Sequence, residues 1–219
     1  MGEGLNGSGE YAGRSLRASL ERLRTDHVDL FYYHRPDGTT PIGETLVAMQ
    51  ELVREGLTRA IGCSNFSAEQ LQEADDLARA NGGPRFVAVQ NHYSLLERDA
   101  EMDVLPLAQR LGVAFVPYFP LASGLLTGKY RRGEPSPKGT RLEDRDADDA
   151  TFDRLEALEA FARERGRSLL ELGIAALASQ PGIPSVIAGA TSPEQARANA
   201  AAADWDLSAE DLAALATVD

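Results

Sequence analysis

Apolar residues recur at helical spacing in Leu16, Leu20 and Leu23, then give way at Val28–His34 to a largely apolar stretch, VDLFYYH, in which Val28, Leu30, Phe31, Tyr32 and Tyr33 are β-branched, aliphatic or aromatic. The first pattern predicts an amphipathic helix beginning near Tyr11, and the second a strand buried on both faces. Pro36-Asp37-Gly38 forbids continuation of the strand, so His34 stands at its carboxyl end. Thr40 as N-cap and Pro41 at the first helical position open a helix carrying Ile42, Leu46, Met49, Leu52 and Val53, and Gly56 ends it. A strand over Arg59–Ser64 follows. Ser67 and Gln70 form a capping-box pattern that launches a helix through Leu71, Ala74, Leu77 and Ala78, closed by Asn81-Gly82-Gly83-Pro84. Strand Phe86–Gln90, a helix near Leu105–Leu111 and strand Val113–Tyr118 repeat the unit.

The strand starts recur about every 30 residues, the size of a strand-plus-helix repeat. The rhythm breaks over residues 121–149, which hold Gly124, Gly128, Gly133, Pro135, Pro137 and Gly139, so this stretch reads as a functional lid or an insert. Helices resume near Thr151–Arg165 and after a second capping box, Ser168 to Glu171. A last strand is expected over Pro184–Ala188, then a helix capped by Ser192 with Pro193 at its first position, and a final helix from Ser208. Five strands joined through helices, with no two-residue hairpin signal between neighbours, predict a parallel sheet with right-handed crossovers. Such a sheet is either open and five-stranded or part of an eight-stranded barrel. An open sheet usually places a Gly-rich phosphate turn after its first strand, and HRPDGTTP is not one. The first helix is amphipathic yet precedes every strand. These two points favour an incomplete barrel, whose ligands bind at the carboxyl ends of the strands.

Composition narrows the function classes. With 219 residues and 43% hydrophobic content, the chain suits one large domain or two small ones. A formal charge of −12 without a Lys/Arg-rich block argues against nucleic acid as partner. No apolar run reaches the roughly 18 residues that span a bilayer, and MGEGLNGSGEY lacks the features of a signal peptide, so neither membrane insertion nor secretion is expected. The single cysteine, Cys63, excludes an internal disulfide framework, fits a reducing cytoplasm and reads as a small buried strand residue. The acidic run Glu143–Asp149 reads as solvated linker, and no metal site is expected.

Five motifs in order, VDLFYYHRPD, IGCSNFS, VQNHYSLL, VPYFPLASGLLTGKY and IAGATSPEQARAN, resemble the aldo-keto reductase family from about Tyr11 to the end. The resemblance implies a (β/α)8 TIM barrel that reduces aldehydes or ketones to alcohols with NADPH and without metal. On that pattern the chain is a single domain, residues 1–219, corresponding to strands four to eight with their outer helices. Residues 121–149 would be the cofactor-covering loop. Three further strand-helix units, roughly 90 residues, would precede it. Of the family's catalytic Asp, Tyr, Lys and His, only the last is matched, as His34. The expectation is therefore a truncated chain, inactive in hydride transfer by itself.

In carbonyl reduction hydride reaches carbon while charge builds on oxygen, which needs a proton donor and hydrogen-bond donors there. By resemblance His34 orients and polarises the carbonyl, while Ser64, Asn65 and Gln90 bind the nicotinamide carboxamide and Tyr118 stacks on the nicotinamide ring. Leu121, Ser123, Gly124, Leu126 and Lys129 would cover the pyrophosphate, and Gly189, Thr191, Gln195 and Asn199 would face the adenosine phosphate. Related sequences often carry a basic residue at Thr191 and an acidic one at Ala198, so NADH stands as an alternative to NADPH. His27 and His92 read as structural or surface groups. Tyr32 and Tyr33 point to opposite faces of their strand, and nothing in the sequence lowers either pKa, so neither reads as a substitute acid.

A rival reading is a non-catalytic, NADP-binding regulatory or interaction protein, as in the potassium-channel β subunits that share the fold. A broken barrel also exposes open strand edges, a route to self-association.

Overall fold

The computed structural model describes residues 6–143 and 147–218. They form an α/β protein that divides into two compact units, Met1–Asn91 with Ala100–Val116, and His92–Asp99 with Pro117–Asp219.

The first unit alternates helix and strand: α1 (Gly9–Leu23), β1 (Val28–Tyr33), α2 (Ile42–Arg54), β2 (Thr58–Ser64), α3 (Ala68–Asn81), β3 (Phe86–Gln90), α4 (Val104–Leu111) and β4 (Ala114–Phe115). The four strands lie parallel in the order β1-β2-β3-β4. Helix α1 starts two residues before the predicted Tyr11 because the Ser8 side chain caps it, accepting from Tyr11 N. Its Leu16 and Leu20 pack with Leu52 of α2, and Val28, Phe31 and Leu57 close around them. Leu46, Met49, Ile61, Phe66 and Phe115 are fully or nearly fully buried. Both partners of the Ser67–Gln70 capping box are in place at the start of α3. Asp75, buried on that helix, pairs with Arg79 and Arg85 and so ties α3 to the residue just before β3.

Strand β1 is not buried on both faces: only Tyr33 is buried, because β1 pairs with β2 alone and forms an edge of the sheet. Exposed Asp29 instead meets Arg59 of β2 at 2.6 Å. Thr40 is not the N-cap of α2. Pro41 takes that place without a side-chain cap, because the Thr40 hydroxyl donates to Asp37 Oδ2 at 2.7 Å. Strand β4 is two residues long rather than Val113–Tyr118. Pro117 has no N–H with which to continue the ladder.

The second unit is mainly helical: a 3-10 stretch over Ala122–Thr127, then α5 (Asp149–Glu164), α6 (Leu169–Ala178), α7 (Pro193–Ala202) and α8 (Ala209–Leu215). The expected fifth strand at Pro184–Ala188 is reduced to a single parallel bridge, Tyr118 to Ile187, with Ile187 N donating to Pro117 O at 3.0 Å. Prolines at 117 and 184 remove the donors a longer ladder would need. Leu126, Leu158, Leu172 and Leu177 form the buried centre, with α6 buried around most of its circumference. The stretch expected to be irregular is anchored. Arg132 reaches Asp149, Asp153 and Glu156, and Arg131 reaches Glu159, tying the chain after the 3-10 stretch to α5. Of the acidic run Glu143–Asp149, residues 144–146 lie outside the described residues.

Candidate active site

At the carboxyl ends of β1, β2 and β3 the first unit gathers His34, Ser64, Asn65 and Gln90. The parallel register sets Tyr33 beside Cys63 and Ser64 beside Gln90, so residues far apart in sequence arrive together. Asn65 joins them. Its backbone N donates to Gln90 O at 3.0 Å, and its side-chain Nδ2 donates to His34 O at 2.9 Å and to Ser64 Oγ at 3.0 Å. Ser64 is buried and donates its hydroxyl to Gln90 O at 2.7 Å. Arg35 extends to Asn65 Oδ1 at 3.5 Å. Asn65 itself has φ 59°, a left-handed conformation that asparagine tolerates better than most residues, and this turns its side chain back toward the end of β1.

His34 is exposed and follows β1 directly. With Tyr11, Phe31, Tyr33, Arg35 and Met49 it borders a cleft of about 400 Å³. The loop after it is fixed by Asp37, whose carboxylate accepts from Gly7 N at 2.8 Å, Thr39 N at 2.9 Å and Thr40 N at 2.7 Å. The Thr40 and Gly7 amides hold the Asp37 carboxyl well below the usual carboxylate range. The sequence shows only a turn here, and Asp followed two residues later by Thr is its signal for these bonds. Burial raises the phenols of Tyr32 and Tyr33, which leaves neither activated as an acid. Burial also pushes the Cys63 thiol up, consistent with an inert core residue. Gly62 is needed beside it, because a Cβ there would lie 2.6 Å from the Tyr32 ring and 3.0 Å from Ala88 O.

The remaining candidates belong to the second unit. Tyr118 is half-buried and bridged in parallel to both His92 and Ile187. Leu126 is fully buried, and it and Leu121 lie 3.3 Å from the point where a Cβ on Gly173 of α6 would stand. These two leucines anchor their loop to α6. Ser123 and Gly124 take positive φ, 58° and 99°. Lys129 Nζ lies 5.2 Å from the centroid of the Tyr130 ring. At the start of α7 the Ser192 hydroxyl caps Gln195 N. Gln195 Oε1 accepts from Thr191 N at 2.8 Å and Thr191 Oγ1 at 3.0 Å, and Asn199 Nδ2 donates to Gly189 O at 3.2 Å. Gln195 and Asn199 therefore brace the Gly189–Thr191 loop.

Helices connecting parallel strands, with polar side chains at the strands' carboxyl ends, define an α/β protein of the class in which ligands bind at that end of the sheet. The model of the aldo/keto reductase family matches residues 3–219, and the chain belongs to that family. A probable voltage-gated potassium channel subunit beta of Oryza sativa subsp. japonica is 38% identical over 214 residues, 93% of this chain and 65% of that protein. The L-glyceraldehyde 3-phosphate reductase of Escherichia coli (strain K12) is 34% identical over 205 residues, 90% of this chain and 59% of that protein. The aldo-keto reductase YhdN of Bacillus subtilis (strain 168) is 34% identical over 207 residues, covering 91% and 60%. The chain thus spans 59% to 65% of the length of these relatives. No helix among the described residues is long and apolar enough to cross a membrane.

Proposed function

We infer that this chain is the cofactor-binding and carbonyl-orienting portion of an NADP(H)-dependent oxidoreductase that reduces an aldehyde or ketone to an alcohol. It corresponds to strands four to eight of the family's barrel. His34 orients and polarises the carbonyl, Ser64, Asn65 and Gln90 take the nicotinamide carboxamide, and Tyr118 stacks on the ring. The second unit's Ser123–Lys129 loop and Gly189–Asn199 segment take the phosphates and adenosine. The observation that carries the reading is the Asn65 network, which holds hydrogen-bonding groups from three strand ends around the backbone of His34. When bound, the dinucleotide supplies the hydride. The chain's own residues supply orientation, and the proton donor and its lysine partner lie outside the five matched motifs.

Titration of NADPH into the 219-residue chain, followed by nicotinamide fluorescence, should saturate, while loss of nicotinamide absorbance with an aldehyde should be negligible. Turnover should appear when strand-helix units carrying a tyrosine acid and its lysine partner are fused ahead of the first residue. Robust turnover by the 219-residue chain would break the assignment of the acid, and absence of NADPH binding would sink the reading. The naming of a plant relative as a channel subunit favours one alternative, a non-catalytic NADP-binding regulatory protein. A longer chain that binds NADPH without turnover would select it.

A further inference from the structure

Three rings meet in the second unit around Tyr118. His92 lies nearly parallel to Tyr118, with centroids 5.5 Å apart and planes 13° from coincidence. Phe119 stands edge-on to both, 5.7 Å from His92 at 85° and 5.2 Å from Tyr118 at 74°. The backbone enforces the stack, because His92 and Tyr118 form a parallel bridge and Tyr93 N donates to Tyr118 O at 3.4 Å. Phe119 reaches its edge-on position through a φ of 56°, a conformation disfavoured for L side chains. The Arg141 guanidinium in turn sits 5.4 Å from the Phe119 centroid. A tyrosine at the end of an extended segment can ordinarily swing between rotamers. One packed flat against a second ring and edged by a third has lost that freedom.

We propose that His92 is a positioning residue for the cofactor: its imidazole, stacked on Tyr118, holds that ring in the plane in which it meets the nicotinamide. The inference rests on the reading of Tyr118 given above. It also gives a task to a histidine that the sequence presents only as a structural or surface group. His92 is itself exposed, so its removal opens no cavity.

The test is a double-mutant cycle on NADPH affinity in the 219-residue chain, with thermal melting alongside. His92→Ala should weaken NADPH binding about fivefold, roughly 1 kcal/mol at 1.4 kcal/mol per tenfold, with the melting temperature unchanged. His92→Phe, which keeps a flat ring, should restore affinity. In the Tyr118→Ala background His92→Ala should have no further effect. Unchanged affinity in His92→Ala, or losses that add in the double variant, would overturn the proposal, the second because His92 would then act on the cofactor directly. Should the unsubstituted chain bind no NADPH, the functional reading fails separately. Near-ultraviolet tyrosine dichroism then decides whether His92 orders Tyr118: a change in His92→Ala upholds the ordering role, and an unchanged spectrum overturns it.

Discussion

The candidate residues of the two units are held by different means. His34, Ser64, Asn65 and Gln90 stand at the ends of strands whose parallel ladder sets their spacing, and the Asn65 side chain only adjusts what the ladder has already brought together. The residues from Leu121 to Lys129 and from Gly189 to Asn199 have no ladder beneath them. They depend on positive-φ turns, a helix cap, two side chains that fold back on a loop, and one fully buried leucine. Groups mounted on a sheet lose little placement when one side chain is deleted, whereas groups mounted on a loop follow their anchors.

The largest effect should come from removing such an anchor. Leu126→Ala is expected to destabilise by about 2–5 kcal/mol, the range for emptying a fully buried leucine site. Denaturant unfolding measures that loss. Hydrogen exchange should show it concentrated at residues 121–129, and equal loosening of β2 and β3 would show that the two groups are not held by different means.

Asn65 probes the sheet-borne group. Asn65→Ala should cost about 2–3 kcal/mol, from lost hydrogen bonds and from an alanine forced to positive φ. Asn65→Gly loses the same side chain but tolerates the backbone, so it should unfold at clearly higher denaturant than the alanine variant. Equal midpoints would show that the left-handed turn carries no strain. Both variants should keep the β2–β3 pairing, read from exchange of the strand amides.

Ser192→Ala should cost about 1 kcal/mol, the usual penalty for an N-cap, and fray the first turn of α7 in exchange measurements. The smallest effect concerns acid. The folded-state pKa of Asp37 is depressed by the amides of Thr40, Gly7 and Thr39, so its contribution is fully present above the unfolded carboxylate value of about 4. It is lost as pH falls from there through the lower folded value. Asp37→Asn should therefore flatten melting temperature against pH below about pH 4 and leave the slope at neutral pH unchanged.

Much of the first unit, and the helix starts of the second, are legible in the chain because their signals are local. Ser67 and Gln70, Ser168 and Glu171, and Ser192 with Pro193 cap the helices they were expected to cap. The strand ends at Ser64 and Gln90 fall where the apolar runs stop. Where the structure departs from the sequence pattern, local and distant partners compete. Thr40 looks like a cap until Asp37 claims its hydroxyl, and Val113–Tyr118 looks like a strand until Pro117 withholds a donor. Whether β1 is central or at an edge depends on its neighbours rather than its own residues, and VDLFYY reads as fully buried although only Tyr33 is.

The sequence by itself determined the alternation of helix and strand, the caps, the parallel class of the sheet and the position of His34 at a strand end, because each follows from residue type and spacing within a few positions. Tertiary structure alone decided that Asn65 ties β2 to the backbone of His34, that Gln195 and Asn199 brace a loop, that Leu126 buries against α6, and that His92 lies flat on Tyr118. The physical reason is that a side chain's hydrogen bonds and ring contacts depend on groups brought close by the sheet and the helices, and those distances exist only once the chain has folded.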